Sequence, residues 1–168
     1  MALTGLTYDD VGCTRPGSPP PAGYHRHARE AVLGGEEVWE AARQALWQWR
    51  MFDMPWVRLH VGGPPAVGSI ATVETGLGPL RLRNACRVLA IYDSAAHCGF
   101  SYGTLPGHAM SGEERFSVWR DAGEVRYEIL AYARPGTLLA RLGLPVVRRL
   151  QWKFGTDSLA AMHAAVRL

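Results

Sequence analysis

Lysine is almost missing from this chain: of 18 basic residues only Lys153 is a lysine, and the others are arginines. Set beside abundant Ala, Gly and Pro, that skew reads as a GC-rich coding bias rather than selected recognition. The formal charge is only +3, and the basic residues are spread over predicted strands and helices. A field focused on nucleic acid needs clustering, so no nucleic-acid partner is expected. Cysteine is scarce as well. Cys13, Cys86 and Cys98 form no CxxC pair and leave an odd thiol, which excludes a disulfide framework or zinc knuckle and fits a reducing compartment. No apolar run approaches the roughly 18 residues that span a bilayer. The N-terminus lacks a basic region followed by an apolar one, so a soluble, cytoplasmic protein is expected. Gly34-Gly35 and Gly62-Gly63 fit neither GxGxxG nor the Walker pattern, and no GxSxG elbow occurs. Neither a cofactor nor nucleophilic hydrolysis is indicated. No internal repeat is found at a solenoid period.

What is present fits one domain with one main core, at 168 residues and 48% hydrophobic content. Arg15 to Gly23, RPGSPPPAG, is an extended connector that wraps the surface, so the chain divides into an N-terminal segment, 1–23, and a domain, 24–168. His25 to Leu33 reads as a strand. Glu36-Glu37 at one end, Arg50 at the other, and Val38, Ala42, Ala45 and Trp49 at helical spacing predict a helix between them. From Trp56 the period becomes two, predicting strands at Trp56 to Val61, Gly68 to Thr75, Leu80 to Asp93, His97 to Thr104, Glu113 to Arg120 and Val125 to Arg134. Short turns, including Gly76 to Pro79, make the sheet an antiparallel meander. Thr137 to Leu168 reads as a helix with a stripe of Leu139, Leu142, Val146, Leu150, Phe154, Leu159, Met162 and Val166. Pro145 kinks or restarts it near Gly143, and Gly155 is a weak point after which Thr156 or Asp157 recaps it.

Chemistry concentrates in Gly99 to Phe116, GFSYGTLPGHAMSGEERF, where a turn at Pro106-Gly107 joins a phenol, a hydroxyl, an imidazole and two carboxylates. Strand alternation places Leu82, Cys86, Val88, Ala90 and Tyr92 inward on one strand, and Tyr102 inward on the next. It also turns Glu114 inward with Phe116 and Val118, and Glu113 outward. Glu114 is then either a catalytic carboxyl with a raised pKa or an ordinary ion pair with Arg58 or Arg134. His108 is either a general acid or base at a cavity mouth or a ring that caps backbone groups of the 104 to 113 loop. Tyr102 either binds a ligand oxygen or is a core tyrosine. Trp49 and Trp56, beside Arg50 and Arg58, suit an amphipathic ligand carrying a carboxylate or phosphate. His25-x-His27 makes a metal site only with a third ligand such as His60, and no metal is expected.

The same run, with Tyr8-Asp9-Asp10-Val11-Gly12, Trp49-Arg50-Met51-Phe52, Trp56-Val57-Arg58 and Ala133-Arg134-Pro135, resembles the DUF1990 (UPF0548) family over almost the whole chain. Ala109 stands where that family has Pro after the histidine. Ala133 stands where it has Ser before Arg-Pro, which removes a possible pocket hydroxyl. The resemblance implies an α+β helix-grip fold similar to the START/Bet v 1-like (SRPBCC) superfamily. There, a curved antiparallel sheet of about seven strands closes on a long C-terminal helix around an apolar cavity. It implies no established reaction. The expected function is binding of a small hydrophobic or amphipathic molecule, with Trp49, Trp56, Arg58, Tyr102, Thr104, His108, Glu114 and Arg134 as candidate ligand contacts. The alternatives are an enzyme of cyclase, dehydratase or hydrolase type in the same cavity, with His108, Glu114 and Tyr102 as catalytic candidates, or a protein-interaction module.

Overall fold

The computed structural model describes residues 5–77 and 80–167. The alternating segments become seven antiparallel strands: β1 (His25–Gly35), β2 (Val57–His60), β3 (Ile70–Leu77), β4 (Leu80–Asp93), β5 (His97–Thr104), β6 (Met110–Asp121) and β7 (Glu124–Pro135). They form one curled sheet in the order β1-β7-β6-β5-β4-β3-β2, a meander whose first strand closes onto its last. Part of the turn expected at Gly76 to Pro79 lies outside the described residues. Three helices follow the predicted positions: α1 (Trp39–Trp47), α2 (Leu138–Leu142) and α3 (Leu144–Val166). The last of these lies along the concave face against β1 and α1.

Concave-face positions follow period two, so Cys98, Phe100 and Tyr102 on β5, Phe116 and Val118 on β6, and Tyr127 and Ile129 on β7 are all buried. Aromatic rings fill the middle of the half-barrel. Phe116 lies 5.3–5.4 Å from Phe52, Phe100 and Tyr102, and Trp49 meets Phe100 edge-on at 4.6 Å. From α3, Met162 is fully buried, and the Ser158 hydroxyl bonds that of Tyr127 at 2.9 Å.

Three expectations change. First, α1 stops at Trp47 rather than reaching Arg50. Trp49 takes a left-handed backbone, φ 60°, before a 3-10 turn at Arg50–Phe52. Burial of its ring and an indole bond to Gly63 O at 3.0 Å offset that conformation's cost of about 1–2 kcal/mol. Arg50 pairs with Asp53 instead of capping the helix. Second, a β-bulge between Val88 and Ala90 flips the parity of β4, so Ile91 rather than Tyr92 stands opposite the inward Phe100. Leu82, Cys86 and Val88 keep their expected side, whereas Ala90 and Tyr92 do not. Third, the tail stripe breaks at Gly143. Leu142 and Val146 are exposed, Val147 turns in, and the side chain of Leu139 and all of Leu168 lie outside the described set. Gly155 causes no break. It is buried in α3 because a Cβ there would meet Arg29 Cγ at 2.8 Å and His27 Nε2 at 3.0 Å. Thr156 returns its hydroxyl to Trp152 O, and Asp157 accepts from Trp56 rather than recapping the helix.

The segment before β1 lies against the sheet. It packs on the convex face, where Cys13 joins Leu130 and Tyr132 in a small second core beside Tyr24 and Ala28. Its anchor is Glu113, whose outward side chain is only 2% exposed. The carboxylate accepts from Tyr8 OH at 3.0 Å, Gly12 N–H at 2.7 Å, Thr14 N–H at 3.3 Å and the Thr14 hydroxyl at 2.5 Å. Gly103 lets Tyr8 approach, since a Cβ at that position would collide with the phenol oxygen.

Candidate functional site

Where the aromatic packing ends, the concave face and α3 leave a cavity of about 170 Å³ that opens to solvent. Its walls are mostly apolar. Val73, Leu82 and Met110 come from the sheet and its loop, and Val147, Leu150 and Phe154 come from α3.

One rung of the sheet supplies the polar groups. His27, Ala131, Glu114, Tyr102 and Val88 stand directly opposite one another across β1, β7, β6, β5 and β4. Tyr102 OH therefore donates to Glu114 Oε2 at 2.7 Å, and it is the sole hydrogen-bond donor to that carboxyl among the described residues. Burial pushes the Glu114 pKa up to about 7, and the Tyr102 bond only partly opposes it. The accessible remainder of Glu114 faces the cavity. Burial, reinforced by the adjacent carboxyl, also drives the Tyr102 phenol well above its ordinary pKa, so it stays a donor.

His108 sits on the loop before β6, where its Nδ1 accepts Met110 N–H at 2.9 Å. Desolvation drops its pKa to about 4. The ring is thus neutral at pH 7, with its proton on Nε2. The next residue uses the absence of proline: Ala109 N–H donates to Asn84 Oδ1 at 3.2 Å. Thr104 is at the wall too, but its hydroxyl is committed to Gly112 N–H at 2.9 Å and to the Thr7 hydroxyl at 2.6 Å. Trp56 closes the remaining side, its indole held by Asp157 Oδ2 at 2.7 Å.

Five of the eight candidate residues, Trp56, Tyr102, Thr104, His108 and Glu114, therefore meet at this cavity, and three do not. Trp49 is in the aromatic core. Arg58 is exposed on β2 opposite Glu74, and Arg134 is exposed over the Tyr24 ring, 4.8 Å away. Neither arginine pairs with Glu114, and no Arg or Lys lines the wall among the described residues, so an anionic ligand head has no counter-charge there. His60 is on β2, at the opposite edge of the sheet from His27, and pairs with Glu74 at 3.8 Å.

His27, Asn84 and Gln151 are lining residues that sequence reasoning missed. The alternation of β1 puts His27 on one face with His25, but in a run this polar it does not say which face turns inward. Asn84 likewise shares parity with Leu82 and Cys86. For Gln151 no signal exists, because a glutamine beside an apolar stripe reads as solvated.

Residues 7–161 match the family described as "Domain of unknown function (DUF1990)". The chain belongs to the DUF1990 family. It is 36% identical to a UPF0548 protein of Dictyostelium discoideum over 146 residues, covering 79% of this chain and 68% of that one. A second UPF0548 protein, of Deinococcus radiodurans, is 33% identical over 86% of this chain and 79% of its own length. Among solved structures, a hypothetical protein of Helicobacter pylori superposes at TM-score 0.67 with 11% identity, covering 98% of this chain and 97% of that one. Ara h 8.0201 superposes at 0.55 with 12% identity, covering 86% and 98%. Norcoclaurine synthase of Thalictrum flavum, bound to dopamine and hydroxybenzaldehyde, superposes at 0.52 with 14% identity, covering 85% and 83%. This DUF1990 chain thus has the Bet v 1-like helix-grip fold: a curled seven-stranded sheet, a short helix after the first strand and a long C-terminal helix. No helix among its described residues is long and apolar enough to cross a membrane.

Proposed function

We infer that the chain binds a small hydrophobic or amphipathic molecule between the sheet and α3, with the polar end of that molecule at Glu114 and Tyr102. The observation that carries this reading is Glu114 itself: a carboxyl in an apolar wall with, among the described residues, one donor and no cation beside it. Buried polar groups are normally fully hydrogen-bonded. A ligand hydroxyl, amide or amine completes the set. The size accords with an apolar body of about one ring, since cavities of roughly 150 Å³ hold benzene. Three buried free thiols suit a reducing, cytoplasmic setting.

A second reading has its own support. A carboxyl held at about pKa 7 is half protonated at neutral pH, the optimum for general acid-base catalysis. One fold neighbour, norcoclaurine synthase, is an enzyme that binds small aromatic compounds. Native mass spectrometry of purified protein, followed by analysis of its organic extract, is the first test. A stoichiometric small-molecule adduct is expected, and a bare mass after incubation with lipid and metabolite pools counts against ligand binding. Glu114→Gln then separates the readings. A binder keeps its affinity within about tenfold, the scale of one hydrogen bond. A proton-transfer enzyme loses roughly 10²–10⁴ in turnover.

A further inference from the structure

The face of α2 and α3 turned away from the cavity is not an ordinary solvated surface. Leu138, Leu142, Val146 and Trp152 project from it at 72, 76, 53 and 57% exposure, the four largest values among the exposed large hydrophobics apart from Val67. Arg141, Arg148, Arg149 and Lys153 stand exposed between them. From Gly136 to Thr156 the chain holds these four cations and no Asp or Glu. Arg141, Arg148 and Arg149 make no ion pair among the described residues, and Lys153 pairs with Asp157 at the end of the patch. Arg29 adds a fifth cation, stacked 4.8 Å from the Trp152 ring. Five of the 18 basic residues thus stand among these apolar side chains.

We propose that this face docks on an anionic lipid bilayer, with Leu138, Leu142, Val146 and Trp152 entering the interface and Arg141, Arg148 and Arg149 contacting lipid headgroups. Two features select that partner. Uncompensated cations on an exposed helical face call for a negative surface, and leucines and a tryptophan among them gain only where that surface has an apolar layer beneath it. A helix of this kind lies in the interface plane rather than crossing it, in agreement with the absence of a spanning helix among the described residues. Val147, Leu150 and Phe154 line the cavity from the opposite side of α3, so the docked face and the cavity share one helix.

The test is co-sedimentation of the full chain with extruded vesicles of phosphatidylcholine alone or with about one third phosphatidylserine, at low and near-physiological salt. Binding is expected only to the anionic vesicles and to weaken as salt rises. Arg148→Ala with Arg149→Ala should lower partitioning about 25-fold, near fivefold per cation. Leu142→Ser with Trp152→Ser should lower it at unchanged net charge. All four residues are exposed and lie outside the cavity wall, and circular dichroism verifies that the variants fold. Equal binding to both vesicle types, no binding at low salt, or binding indifferent to both double variants overturns the proposal. Sedimentation velocity without vesicles covers the other occupant: a dimer that Leu142→Ser with Trp152→Ser dissociates also overturns it, assigning the face to a second copy of the chain.

Discussion

Glu114 and His108 are neighbours in the site with opposite responses to burial, and the pH dependence of stability should display both. Glu114 rises from 4.5 to about 7, so the fold binds that proton more tightly than the unfolded chain does. Its contribution is complete below pH 4.5 and disappears as pH rises through 7. His108 falls from 6.5 to about 4, so its contribution is complete above 6.5 and disappears as pH falls through 4. Between 4.5 and 6.5 the two slopes oppose each other, each at most about 1.4 kcal/mol per pH unit. Glu114→Gln should leave stability rising with pH across that window. His108→Asn, whose amide oxygen can still accept Met110 N–H, should make it rise less, or fall more, than in the parent, because His27 and His97, also lowered by burial, keep their own rising slopes. Urea titrations at five pH values check both slopes, and profiles parallel to the parent's would refute the two pKa assignments. The inward placement of Glu114 and Tyr102 was legible from alternation alone, because neither residue lies beyond a bulge. The role of Glu113 was not. An outward carboxylate reads as solvated, and the donors that bury it come from about 100 residues away in the sequence.

Element by element, the strands were readable because their concave faces carry the apolar core, which favours period two even where β5, β6 and β7 are buried on both faces. Failures occurred where local geometry broke the period: the bulge in β4, the left-handed Trp49, and Gly143, which rotates α3 relative to α2. Gly155 misled for a different reason. Helix propensity marks glycine as weak, by about 1 kcal/mol against alanine, but propensity cannot register that α3 approaches β1 too closely for a Cβ. Gly155→Ala should therefore destabilise the protein, by roughly 1–3 kcal/mol, despite its better propensity. A raised melting temperature in thermal denaturation would contradict this. Trp56 illustrates what pairing adds: its indole and Lys153 both bond Asp157, and although burial alone would raise that carboxyl's pKa, the two donors hold it below its usual value.

For the whole molecule, the clasp on the convex face makes the N-terminal segment part of the fold. Glu113→Ala leaves four donors without their acceptor and should cost about 2–4 kcal/mol in denaturant unfolding. In a chain lacking residues 1–14 the same substitution should cost less than about 1 kcal/mol, because its partners are already gone. Equal costs in the two backgrounds would mean that Glu113 acts elsewhere. The closure of β1 onto β7 has a kinetic consequence. His25 pairs with Ala133, and Thr14 with Glu113, so the pairings that complete the sheet join distant parts of the chain. High contact order of this kind slows folding toward milliseconds to seconds. During synthesis, β1 emerges from the ribosome more than 90 residues before its partner strand, and until β7 follows it remains an unpaired edge open to any other strand in reach.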